Sequence, residues 1–226
     1  TSRAYRQASH RNPEIDEKDP DNRLLSRMNV RRMEAETIRD AILFLSGGIN
    51  LALYGKPVPV MEDEVGQFVV GKENLDGERK PGKTVDLKGT EHRRSLYVQV
   101  RRSRILSLFD AFDLPAMEPN CDKRSVSTVA PQALIFMNNE FVIDQSRAMA
   151  EHLRKLEGDD LDRQLAGGWE RALGHEVTAA ELSNARDFVH KQTELFRGRK
   201  DKQPELTALA NYCQALLSAN RFVYID

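Results

Sequence analysis

From Pro131 to the end of the chain, apolar residues recur at helical spacing, and helix-start chemistry divides them into segments. Pro131 suits the first turn of a helix through "QALIFMNN", because its missing N–H would have no partner there. "EFVIDQSRAMAEHLRKLEG" places Phe141, Met149 and Leu153 among the apolar positions of a second helix. Thr178 and Glu181 in "TAAE" have capping-box spacing, which predicts a helix running toward Phe196. Pro204 opens the last one, where Leu206, Leu209, Cys213, Leu216 and Leu217 form an inward stripe. A chain with this second half has few options besides a helical bundle.

The first half is mixed. "RRMEAETIRDAILFLSGG" predicts a helix with Ile38, Ala41, Ile42 and Leu45 on its buried face, stopped at Gly47 and Gly48. Most of its charges, Arg31, Arg32 and Arg39 interleaved with Glu34, Glu36 and Asp40, read as a solvated, salt-bridged surface. "DPDN" at Asp19–Asn22 reads as a turn or helix start. "RRSLYVQVRR" alternates with period two, which predicts a strand with Leu96, Val98 and Val100 on its buried side, paired with "QFVV". The expected fold class is mainly α: a helical domain with a small two-stranded β element in the first half. Residues 1–130 would hold a helix, the strand element and irregular chain, and residues 131–226 the helical bundle part of one domain.

Composition bounds function. With 34 basic and 35 acidic residues the net charge is −1, which gives no general attraction to nucleic acid. No apolar run approaches the roughly 18 residues of a membrane span. The chain starts at Thr1 without an initiator methionine or a signal-peptide pattern, so it is expected to be a piece of a longer protein.

Known chemistries leave little trace. The five histidines, His10, His92, His152, His175 and His190, lack ligand-pair spacing, and there is no CxxC or CxxCH, so no metal site and no cofactor is expected in this segment. "DPDN" lacks the twelve-residue calcium loop. No GxSxG or glycine-rich phosphate loop occurs.

The most unusual stretch is "FDAFDLPAMEPNCDKRSVSTVAPQ", charged and without a repeating face. Its Asp110 and Asp113 are the candidate catalytic residues, since neighbouring carboxylates split their pKa values into an acid and a base. The favoured reading is structural instead: one of them pairs with Arg93, Arg94 or Arg124 and holds the segment in place. Cys121 and Cys213 are expected to remain unpaired, because the helical stripe already accounts for Cys213 as a small buried hydrophobe.

Several fragments together, "SRAYRQAS", "DPDNRLLSRMNVRRMEAETIRDAILFLSG", "RRSLYVQVRR", "FDAFD", "CDKRSVSTVAPQAL", "MNNEF" and "LSANRFVYID", resemble the planctomycete C-terminal domain of unknown function 1553, which ends large cytochrome c-like proteins. The resemblance covers nearly the whole chain in motif order, and the family's usual start lies upstream. The matching positions are Tyr5, Arg6, Asp19, Asn22, Arg32, Glu36, Arg39 and Asp40, then Arg93, Arg94, Tyr97, Arg101, Asp110, Cys121, Arg124, Gln132, Asn138 and Phe222. It implies an arginine–carboxylate network and a periplasmic or secreted parent, and it brings no known reaction. The leading expectation is therefore a non-catalytic structural or docking domain whose partners are other domains of its parent. The alternative is a carbohydrate-active or other hydrolase-type domain that uses Asp110 and Asp113 on polysaccharide. A third reading is a redox accessory domain that supplies surface to a haem held elsewhere in the parent.

Overall fold

A computed structural model describes residues 2–3, 6–72, 85–115 and 127–225. Among these the order is α1 (Pro13–Lys18), β1 (Arg31–Arg32), α2 (Ala35–Leu45), β2 (Val60–Glu62), β3 (Phe68–Val70), α3 (Ser107–Ala111), α4 (Ala130–Asn138), α5 (Glu140–Glu157), α6 (Leu161–Leu173), α7 (Ala179–Gly198), α8 (Pro204–Leu217), α9 (Asn220–Val223) and β4 (Tyr224–Ile225). The fold is mainly α with a small two-stranded sheet in the first half, as expected.

The bundle follows the local signals. Thr178 and Glu181 form the reciprocal capping box that starts α7. Proline stands in the first turn of α4 and of α8. The whole predicted stripe of α8, Leu206, Leu209, Cys213, Leu216 and Leu217, is buried, and α8 packs chiefly on α5 and α7. The helix α6, which the sequence did not announce, carries Gly167 and Gly168 in its middle. Glycine weakens helix propensity, but a Cβ on Gly168 would sit 3.0 Å from Leu153, so its absence lets α6 approach α5 and α8 closely.

Helix α2 ends as predicted. Gly47 adopts φ +73°, and a Cβ there would stand 2.8 Å from the His152 ring, so both conformation and space favour glycine. "DPDN" is a turn: the Asp19 carboxylate accepts the Arg23 and Leu24 N–H groups, and Asn22 takes φ +51°.

The strand expectation needs correction. β3 pairs antiparallel with β2, Val60 opposite Val70 and Glu62 opposite Phe68. "RRSLYVQVRR" forms a 3₁₀ turn at Ser95–Tyr97 and, among the described residues, makes only isolated bridges: Arg93 to Asn50, Val98 to Val58 and Arg101 to Arg104. Val98 is buried, but Leu96 is 61% exposed and Ser95, expected outside, is buried. Alternation describes two faces; it does not provide a partner strand, and here the pairing stops at Val58, whose N–H donates to the Tyr97 carbonyl and whose carbonyl accepts the Gln99 N–H. A second two-stranded ladder, β1 with β4, ties the start of α2 to the C-terminus. Among the described residues, no helix is long and apolar enough to cross a membrane.

Candidate functional site

Arg39 follows Ala35 by one turn of α2 and shares a face with Ile42 and Leu43, so the helix carries it into the core, where it is 1% exposed. Arg39 is thus an exception to the solvated surface expected of most of the helix's charges. Its Nη1 donates to the Arg93 carbonyl at 2.9 Å and to Ser95 Oγ at 3.3 Å, and its Nη2 to the Glu91 carbonyl at 2.6 Å. Burial lowers its pKa to about 10, partly offset by the Asp40 carboxylate 4.0 Å away. Asp40 in turn accepts the Ser95 N–H at 2.7 Å and faces Arg94 Nε at 3.6 Å. The Glu91 and Arg93 carbonyls and the Ser95 N–H are thus taken by α2 side chains, while the His92 carbonyl accepts the Asn50 N–H, so the start of the alternating segment has few backbone groups left for a ladder.

Arg93 repeats the device one layer out. It is buried, donates to the carbonyls of Lys56 at 2.9 Å and Ala52 at 3.2 Å, and also to that of Tyr54. Its guanidinium lies 3.7 Å from the Tyr97 ring centroid. The Tyr97 hydroxyl accepts the Tyr54 N–H at 3.0 Å. Held this way, the 51–56 loop turns Leu51, Leu53 and Tyr54 outward, 65%, 65% and 83% exposed.

The third arginine, Arg32 on β1, closes the "FDAFD" segment. It donates to Asp113 Oδ2 at 2.8 Å and to the carbonyls of Phe112 at 3.0 Å and Ser127 at 2.8 Å. Asp113 sits at φ +59°, a conformation that aspartate tolerates better than most residues. It also accepts the Ser127 N–H at 2.7 Å and the Ser127 hydroxyl at 2.9 Å. Burial pushes the Asp113 pKa up, but the Ser127 N–H, the Ser127 hydroxyl and Arg32 together outweigh it and leave the carboxyl below its ordinary value. Gln132 completes the closure with bonds to the carbonyls of Ala111 and Ser127.

The structure thus gathers Arg32, Asp113 and Gln132 into one cluster, and Arg39, Asp40, Arg93, Arg94 and Tyr97 into another. Asp110, one turn before Asp113, is exposed. Arg101 and Asn138 are exposed as well, and neither joins a cluster. Arg124 and Cys121 lie outside the described residues. Cys213 is a free, buried thiol. Glu91, Ser95 and Ser127 were not read as site residues; their roles depend on partners 14 to 95 positions away, and no local pattern marks them.

Beside Arg39 lies a cavity of about 290 Å³, bounded by β3, the Thr90–His92 turn, the start of α3 and the start of α5. Among the described residues, no group of three or more His, Cys, Asp or Glu side chains could hold a metal ion.

The family model PSD1, described as "Protein of unknown function (DUF1553)", matches residues 1–189. The chain belongs to the DUF1553 family. The matched part of this DUF1553 domain contains both arginine clusters and the cavity, and it stops inside α7, so α8, α9 and β4 lie beyond it. No curated protein and no solved structure matches the chain.

Proposed function

We propose that this DUF1553 domain is a non-catalytic docking module of a larger extracytoplasmic protein. The observation that carries the reading is the 51–56 loop. A buried guanidinium and a tyrosine hydroxyl hold its backbone, while Leu51, Leu53 and Tyr54 face solvent. Clustered apolar side chains left in water mark an interaction surface, and a loop already immobilised loses little further entropy when a partner covers it. The occupants are other domains of the same parent, in keeping with the resemblance to the end domain of large planctomycete cytochrome c-like proteins, which also supports a periplasmic or secreted place. The reading assigns this segment no cofactor.

The hydrolase alternative draws no support from the carboxylates. Asp113 is occupied by Arg32 and Ser127, and Asp110 is exposed apart from it. A catalytic pair needs both groups facing one cleft.

Photo-crosslinking tests docking. With benzoylphenylalanine in place of Tyr54 in the full-length parent, irradiation should join this position to a peptide from another domain of the same chain. Crosslinks only to a second copy, or none, would overturn the reading.

A further inference from the structure

We infer that the loop from Asn22 to Asn29 is a membrane-contact element, seating Leu24 and Leu25 at the apolar boundary of a bilayer that carries anionic lipid headgroups. Leu25 holds φ +56°, a left-handed backbone that a bulky side chain adopts only at a cost. Asparagine or glycine would sit there with less strain. Burial does not account for the leucine, since it is 51% exposed and its neighbour Leu24 83%. A strained apolar residue kept in water points to function.

The loop can leave water without losing its hydrogen bonds. The Asp19 carboxylate accepts the Arg23 N–H at 2.9 Å and the Leu24 N–H at 2.7 Å. The Asn22 carbonyl accepts the Leu25 N–H and its Oδ1 the Arg27 N–H, each at 3.3 Å. Asn22 Nδ2 donates to the Arg27 carbonyl at 2.8 Å and to Asn29 Oδ1 at 2.9 Å, closing the neck. A protein partner can supply hydrogen bonds to an approaching loop; lipid cannot, so a loop that enters it must satisfy its own backbone.

Charge selects the same partner. From Asn22 to Met33 there are four arginines and no acidic residue. Arg32 is held by Asp113 and Arg27 lies 3.4 Å from Asp16, which leaves Arg23 and Arg31 exposed and without an ion pair among the described residues. The exposed acid nearest in sequence is Asp21. An apolar tip flanked by cations matches an anionic bilayer surface. With a net charge of −1 the whole chain adds no attraction, so the contact rests on this patch. The inference is independent of the docking reading, which uses the 51–56 loop.

The test sediments the 226-residue chain with vesicles of phosphatidylglycerol and phosphatidylcholine in equal parts, and with phosphatidylcholine alone. Binding to the mixed vesicles should saturate, weaken as salt rises, and be several-fold weaker on phosphatidylcholine alone. Arg23→Gln should lower affinity about fivefold, the scale of one cation at an anionic surface. Leu25→Asn should keep or raise the melting temperature, because asparagine suits this backbone, while vesicle affinity falls about tenfold. Leu24→Ser, at the more exposed position, should lose binding similarly. No sedimentation with the mixed vesicles, equal binding to both compositions, or unchanged affinity in both leucine variants would each overturn the assignment. A crosslink from position 24 to another domain of the parent, without vesicle binding, would give the loop to a protein partner instead.

Discussion

Arg32 and Asp113 meet at 2.8 Å across 81 residues of sequence, and each fills the other's place in an otherwise irregular segment. The Arg32 side chain is 3% exposed and that of Asp113 17%. Removing the carboxylate strands a buried guanidinium, so Asp113→Ala should cost about 3–5 kcal/mol. Asp110→Ala, at the exposed neighbour, should stay within about 0.5 kcal/mol of the parent. Thermal or urea melts of the two variants decide the matter, and equal losses would contradict the assignment.

Acid should release the same closure. The folded Asp113 pKa is lowered from 3.8, so its contribution is fully present above the unfolded value and is lost as pH falls through the lower, folded one. Wild-type stability should therefore fall more steeply than that of Asp113→Asn between about pH 4 and pH 2. Parallel curves from urea titrations at each pH would show that this carboxylate does not contribute.

Arg39 tests whether a buried arginine can replace strand pairing. Arg39→Met should leave the carbonyls of Glu91 and Arg93 and the Ser95 hydroxyl without a donor, at about 1–3 kcal/mol for each that water does not reach. Arg39→Lys should restore little, because one ammonium cannot reproduce the planar fork. A lysine variant with the parent's denaturation midpoint would argue against the fork geometry.

The docking loop offers a local measurement. Tyr97→Phe keeps the ring beside Arg93 and removes the acceptor of the Tyr54 N–H. Hydrogen exchange at Tyr54 should quicken while global stability changes little. Arg93→Ala should quicken exchange across residues 51–56, and a loop equally protected in both variants would refute the anchoring.

Cys213 should be inert in the native protein. It is fully buried, and burial pushes its thiol pKa well up, so little reactive thiolate forms. Labelling with a thiol reagent should proceed at this position only after denaturant is added. Rapid native labelling at Cys213 would mean that the α8 stripe opens.

The helices α4, α5, α7 and α8 were legible because their signals are local: apolar residues three and four apart, a capping box at Thr178, prolines in first turns. Helix α6 was not, since Gly167 and Gly168 lower its propensity and their value lies in contacts with Leu153 and neighbouring helices. The clustering of arginines and acids was legible as composition, but the pairing was not. Among the described residues, Asp113 rather than Asp110 meets an arginine, and that arginine is Arg32 rather than Arg93 or Arg94; Arg124 lies outside them.

Periodicity reports which faces a segment can bury and leaves open what will cover them. In residues 93–102 it suggested a strand; the fold instead placed α2 beside the start of the segment, where Arg39 takes the Arg93 carbonyl and Asp40 the Ser95 N–H, and left the Tyr97 carbonyl and the Gln99 N–H bonded to Val58 alone. The sequence by itself determined the helical bundle, because helix hydrogen bonds and caps close within a few residues. Only the tertiary structure decided which arginines are buried and which acid is clamped. It also decided where a cavity remains, because each of these depends on groups separated by fifty or more positions, and no local pattern encodes who arrives from that distance.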